Sequence, residues 1–352
     1  VEHWKNKSFN TQRKHAINIV KFLNYLFENK KQLRIKSLNV LTILHGTEYL
    51  NKLVLNGVSK NTIKDYESTL TKFYYWLSSK NICLQFNKDV FRKTNTQFGE
   101  YIESPFNPLY PKQSIIYIEH TLPLSYIPLL IEVAILVAKP IVLGLYFQIF
   151  GGLRISEVIN LSRTDVARKL KKGNFLFILK NQNYRTDLKE YPSVKRPRHQ
   201  EVFEIHEWGQ SLFRDHINLY KPKENNTNAL FINRDGKAMS VRSYRQYFQK
   251  IKDTFISLLE SKGDYEQQLL AKNLKYMKWS THIGRGTFTN MIAEEAKNPY
   301  EIAHLRGDLN INSALTYMSS TDRIHEKIEE KFSTMHTKYI PSLINIDNRD
   351  EW

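Results

Sequence analysis

A chain of 352 residues, 41% of them hydrophobic, is long enough for two ordinary domains and too apolar to be disordered along its length. Its 52 Lys and Arg against 35 Asp and Glu leave a net charge of +17, which suits a polyanionic partner such as nucleic acid. Cys83 is the only cysteine, which excludes an intrachain disulfide and a cysteine-based zinc cluster and fits a reducing compartment.

Residues 1–100 hold 17 basic and 7 acidic side chains, so the positive excess is concentrated at the start of the chain. The opening Val1-Glu-His-Trp-Lys5 lacks the apolar core of a signal peptide, and a cytoplasmic, nucleoid-associated location is expected. From Asn10 to Asn29, Ala16, Ile17, Val20, Phe22, Leu23, Leu26 and Phe27 recur at helical spacing. The segment 36–55 supplies one or two more helices. A further amphipathic stretch runs from Thr62 to Leu77 behind Ser59, a favoured helix cap. These elements predict a helical bundle over residues 1–105. Pro105, Pro108, Pro111 and Pro123 then break regular structure and predict a linker over 106–125, leaving 126–352 as a second domain.

The second domain opens with the longest apolar stretch, Tyr126 to Phe150. Glu132, Lys139, Pro140 and Gln148 interrupt it, so a buried helix pair explains it better than a membrane span. Gly151-Gly152 marks a turn, and Ile155 to Leu161 begins another helix. Asn174–Leu179 and Glu201–Ile205 read as strands, separated by a basic stretch with Arg185, Lys189, Lys195, Arg196 and Arg198. Ala229–Ile232 is a short apolar run before the turn signal Arg234-Asp-Gly-Lys237. Helical patterns follow over 240–259, 287–297, 299–306, 313–318 and 323–340. The fold expected is mainly α with a small β-sheet.

Three separated segments carry chemistry-bearing side chains. Phe150-Gly-Gly-Leu-Arg-Ile-Ser-Glu157 holds Arg154, Thr281-His-Ile-Gly-Arg-Gly-Thr287 holds His282 and Arg285, and Leu305-Arg-Gly-Asp-Leu-Asn-Ile-Asn-Ser-Ala-Leu-Thr-Tyr317 ends on Tyr317. A guanidinium is always protonated and offers paired donors to phosphate oxygens, so two of them suit the charge that builds up when a phosphodiester is attacked. An imidazole can move a proton, and a phenol is a nucleophile once its ionised form is made accessible. No His-Glu-x-x-His spacing or nucleotide-binding glycine motif is present, and no metal or cofactor is expected.

In content and order these segments resemble the arginine box, the His-x-x-Arg box and the terminal tyrosine box of the tyrosine recombinases, the phage integrase family. Ser59-Lys-Asn-Thr-Ile-Lys-Asp-Tyr66 and Phe73–Leu77 resemble that family's helical core-binding domain. The resemblance spans about Thr11 to Ser320. It implies a helical core-binding domain followed by a mixed α+β catalytic domain, together clamping duplex DNA. It also implies a site-specific recombinase acting through a 3′-phosphotyrosine intermediate in integration, transposition or resolution of DNA. Arg154, His282, Arg285 and Tyr317 would be catalytic. A lysine of the hairpin would be the general acid, with Lys195 preferred over Lys180 and Lys189. Lys60, Lys64, Arg185, Lys189, Arg196 and Arg198 would contact DNA. A homotetramer on paired sites is implied, with room for accessory DNA-bending or directionality proteins and no membrane partner. Asp308 departs from the family, which usually has His or Trp there; a carboxylate repels phosphate unless it turns away, for instance to cap the following helix. A type IB-like topoisomerase and a DNA-binding relative with impaired catalysis stay open as alternatives.

Overall fold

The computed structural model describes residues 4–96, 99–112, 121–164, 173–185, 187–188, 194, 197–222, 227–307, 318–333 and 343. The chain divides into two compact units, Val1–Ile115 and Ile116–Trp352. Among the described residues it is mainly α-helical, with two small antiparallel sheets of two strands each.

The first unit is a helical bundle of α1 (Phe9–Glu28), α2 (Ile43–Leu55) and α3 (Lys60–Ser79), followed by a hairpin of β1 (Lys93–Thr96) and β2 (Gly99–Ile102). Local chemistry sets the starts of the helices. Ser8 and Ser59 each accept a hydrogen bond from the backbone N–H three residues on, and Thr42 forms a reciprocal box with His45. The core is aromatic: Phe22, Tyr49, Tyr66, Tyr74, Phe86 and Phe91 pack with Leu50, Ile63 and Leu70. Half of the expected linker belongs to this unit. Phe106 is buried edge-on against Tyr74 at 5.0 Å, the Leu109 N–H donates to Asn51 at 2.7 Å, and the Tyr110 hydroxyl donates to the buried Glu67. The prolines do stop helices here, but they leave neighbouring side chains free to fill a core. Leu122, at the far end of the expected linker, is buried in the second unit, where its N–H donates to the Thr287 hydroxyl at 2.9 Å.

The second unit is built around α4 (Ile127–Ala138) and α5 (Val142–Gly151), with all ten residues of α5 buried. Leu124–Gly151 is long and apolar enough to cross a membrane, yet it is broken near Pro140 and packed inside the unit. After the four-residue α6 (Ile155–Val158) comes a hairpin of β3 (Phe175–Leu179) and β4 (Arg198–Val202), in the register Phe175↔Val202 to Leu179↔Arg198. The remaining helices are α7 (Trp208–Leu219), α8 (Val241–Lys262), α9 (Tyr265–Tyr276), α10 (His282–Glu295), α11 (Pro299–Leu305) and α12 (Met318–Ser333). Caps at Ser240, Asp264 and Asn298 start α8, α9 and α11. The apolar run 229–232 forms isolated bridges, Ser162↔Ala229 and Ile232↔Ala238, rather than a strand of a sheet. Helix α12 docks on the rest of its unit by burying Ile324, Ile328 and Phe332, the last edge-on to Phe150 and Trp208. Lys327 and Lys331 tie it to Glu295 and Glu294 of α10 at 3.0 and 2.7 Å.

Helix α7 carries a titratable group in its buried face. His216 is 3% exposed, and its Nε2 donates to the Leu230 carbonyl at 3.1 Å. Burial pushes its pKa from 6.5 down to about 4, against the pull of that hydrogen bond, and Arg163 adds to the depression. The unfolded chain therefore takes up this proton first. The stability gained by keeping the ring neutral is complete above pH 6.5 and is lost as the pH falls towards 4. Between about pH 7 and about pH 4.5, urea unfolding of the wild type should lose roughly 2–3 kcal/mol more than that of His216→Gln. An identical acid loss in both proteins would remove His216 from the account.

Candidate active site

The first chemistry-bearing segment leaves α5 through Gly152 and enters α6 at Arg154, which occupies the cap position in an extended conformation. Glu157, one turn on, reaches back to it. Its carboxylate accepts the Arg154 backbone N–H at 2.8 Å and the Arg154 guanidinium at 2.9 Å. The same carboxylate accepts two hydrogen bonds from Arg198 of β4, at 2.7 and 3.1 Å. Glu157 is fully buried, which disfavours its charged form, but the hydrogen bonds and charges of Arg198 and Arg154 outweigh burial and hold its carboxyl below the usual range. The Arg154 side chain remains 26% exposed, fixed in direction yet open to solvent.

The second segment opens α10. His282 is its first residue and lies exposed, while Arg285, one turn later, is 6% exposed. Gly284 between them allows a close approach: a Cβ there would stand 2.8 Å from the Cβ of Gln148 and 3.2 Å from its carbonyl carbon on α5. Gln148 also holds the start of α10, donating to the Thr281 carbonyl at 3.3 Å while accepting from the Tyr244 hydroxyl at 2.9 Å. The Arg285 guanidinium donates to the Gly152 carbonyl, two residues before Arg154, and to the Arg306 carbonyl at 3.2 Å.

Leu305, Arg306 and Gly307 begin the third segment, and β4 completes the ring. Gln200 donates to the Leu305 carbonyl at 2.7 Å and accepts from Arg198 Nε at 3.1 Å. Gly307 has φ +67, and a Cβ there would fall 2.0 Å from Arg198 Nε, so both backbone and space demand glycine. Arg154, Glu157, Arg198, Gln200, Leu305, Arg306, Arg285 and Gly152 thus form one closed circuit of contacts joining segments far apart in sequence.

Lys180, immediately after β3, is exposed. Lys189, Lys195, Arg196, Asp308 and Tyr317 lie outside the described residues. Two arginines expected at a DNA surface are engaged elsewhere. Arg198 is 6% exposed and bonded to Glu157 and Gln200, because β4 begins at residue 198 and points it inward. Arg185 bridges Asp187, at 2.7 and 2.9 Å, and the Ala238 carbonyl, at 2.8 Å. Lys60 and Lys64 stand over the Tyr110 ring, at 5.7 and 5.9 Å from its centre.

Sequence reasoning missed a polar stripe on α8. Arg242, Arg245, Gln246 and Gln249 are all exposed and line one shallow groove. The signal was available, since these positions recur every three or four residues behind the Ser240 cap and so share a helix face.

No family model and no curated protein matches the chain by sequence. Solved structures do match in fold. A Tn1549 transposon integrase in complex with circular-intermediate DNA aligns at TM-score 0.60 and 17% identity, covering 90% of this chain and 91% of that one. The XerH site-specific recombinase bound to a palindromic difH substrate, in a post-cleavage complex, aligns at TM-score 0.57 and 16% identity over 89% of this chain and 77% of that one. Its pre-cleavage complex with difH gives 0.55 and 17%, over 91% and 78%. In overall architecture the chain shares its fold with these integrases and site-specific recombinases.

Proposed function

We propose that the protein is a site-specific tyrosine recombinase that cuts and rejoins DNA strands for integration, transposition or resolution, working as a homotetramer on paired sites. The observation that carries this is the convergence of Arg285 on the turn that presents Arg154 and on the start of the segment that ends in Tyr317. Two guanidiniums held this way suit the two non-bridging oxygens of one phosphate. The Tyr317 oxygen attacks phosphorus, the bond to the 5′-oxygen breaks, and the phosphodiester energy is kept in a 3′-phosphotyrosine link for rejoining. The exposed His282 exchanges a proton with the phenol or donates to a phosphate oxygen, and a hairpin lysine, Lys195 ahead of Lys180 and Lys189, protonates the departing 5′-oxygen. The arginine and glutamine stripe on α8 has the side chains that read guanine and adenine edges in a major groove, which supports duplex DNA as substrate.

The test uses duplexes recovered by binding selection and nicked so that cleavage cannot reverse. The wild type should be trapped as a covalent protein–DNA adduct. Arg154→Ala should bind the same duplex and form adduct about 10²–10³-fold more slowly, the usual loss for one preorganised donor. A wild type that binds duplex without ever forming an adduct would leave a DNA-binding protein and refute the enzyme.

A further inference from the structure

One buried polar side chain that the proposed chemistry does not use is His325, on α12. It follows Tyr317 by eight residues, and the first residue of α12, Met318, is bonded to Tyr317. The ring is 1% exposed and stacks on Phe203 at 5.0 Å, 13° from parallel. Its Nε2 lies 2.6 Å from the Glu204 carbonyl oxygen and its Nδ1 lies 3.3 Å from the Asn174 side-chain nitrogen. A carbonyl only accepts, so Nε2 carries the hydrogen and Nδ1 accepts from the Asn174 amide. Asn174 is engaged on every side, donating also to Glu201 at 2.7 Å and accepting from the Glu204 N–H at 2.8 Å. Asn174 directly precedes β3 and Glu204 closely follows β4, so these contacts grip both legs of the hairpin at its base. A second anchor lies one turn further along α12. The Glu329 carbonyl accepts from His206 Nε2 at 3.0 Å, and the Glu329 carboxylate accepts the His206 N–H at 3.3 Å.

We infer that His325 is a positioning residue that locks α12, the helix that follows Tyr317 in sequence, to the base of the β3–β4 hairpin, and that the strand-transfer step depends on this coupling. This rests on Tyr317 being the nucleophile. A buried imidazole is costly unless each nitrogen meets its partner, and here the partners are a donor beside one strand and an acceptor beside the other. Sliding α12 by one residue would strand both nitrogens in an apolar core. The histidine therefore selects a single alignment, which a leucine or phenylalanine in its place would not.

The test uses the full chain and the nicked duplex described above. His325→Phe keeps the stacking on Phe203 and loses both hydrogen bonds. It should bind duplex with unchanged Kd and form adduct at least about 10-fold more slowly in a single turnover, a loss typical of misplaced reacting groups. His325→Gln, which restores a donor towards Glu204, should recover part of that rate and serves as the test if the phenylalanine variant does not fold. In hydrogen exchange on the free protein, amides of α12 and of β3 and β4 should lose protection together in His325→Phe, while α8 stays unchanged. Adduct formation at the wild-type rate, or faster exchange in α12 with the strands still protected, would overturn the inference. A wild type without adduct would instead refute the nucleophile, and exchange alone would then decide whether helix and hairpin are coupled.

Discussion

Tyr317→Phe is expected to bind duplex DNA as the wild type does and to form no covalent adduct, a loss of roughly 10⁴-fold or more. The substitution removes one oxygen and keeps the ring, so folding and docking are spared and only the attacking atom goes. Tyr276 and Tyr300 provide the control. They are 87% and 63% exposed on α9 and α11, free of the contact circuit around Arg285 and Arg154, and their phenylalanine variants should be captured at the wild-type rate. Adduct formation by Tyr317→Phe at a wild-type rate would move the nucleophile to another residue. Relaxation of supercoiled plasmid by the isolated chain, with no paired sites, would favour a swivelling topoisomerase over a recombinase.

Glu157→Ala should be the most damaging single change to stability near the site. The carboxylate is fully buried and accepts hydrogen bonds from Arg154 and Arg198, and Arg198 is itself buried. Deleting it leaves a guanidinium charge in the interior with its main counter-ion gone, at a cost of about 3–5 kcal/mol. For a unit of this size that lowers Tm on the order of 10 °C, readable by calorimetry. Replacing the pair together, as Glu157→Leu with Arg198→Met, should recover much of the loss, since the cost comes from the orphaned charge more than from the missing bridge. A Glu157→Ala protein melting with the wild type would show that the bridge carries no stability. Because the folded carboxyl sits below its ordinary pKa, its contribution is present above the usual carboxylate range and disappears as the pH falls through the folded value. That window opens only below 4.5, whereas the loss due to His216 begins at 6.5, so the upper part of a pH series reports His216 and the lower part Glu157.

The helices with a strong apolar stripe and a capping side chain were legible in the sequence to within a few residues. The expected 240–259 is observed as Val241–Lys262, and 299–306 as Pro299–Leu305. Two helices were missed for identifiable reasons. Helix α7 follows His206 and Glu207, both at positive φ, has no side-chain cap, and includes His216 in its buried face, where a sequence pattern scores it as polar. Helix α9 buries only Ala271 and Leu274, too few to mark a face, although its Asp264–Gln267 box was in plain view. The strand expected at 201–205 runs instead from Arg198 to Val202. Alternation puts Arg198 and Gln200 inward, and inward polar residues are what apolar patterning cannot find. The same inversion made Arg198 look like a surface cation. The composition of a basic stretch tells how many charges it holds, and only the pleat tells which of them face water. Arg154 and Arg285 stood out by side-chain type and segment spacing, while the contacts that join them through Glu157, Gln200 and main-chain carbonyls are tertiary and leave no local trace.

The way Arg285 is moored has a further consequence. Peptide oxygens at Gly152 and Arg306 hold its guanidinium, whereas the carboxylate of Glu157 holds that of Arg154. One cation is thereby fixed at the surface by a neighbouring side chain and the other in the interior by the main chain, so a change that frees the first leaves the second moored.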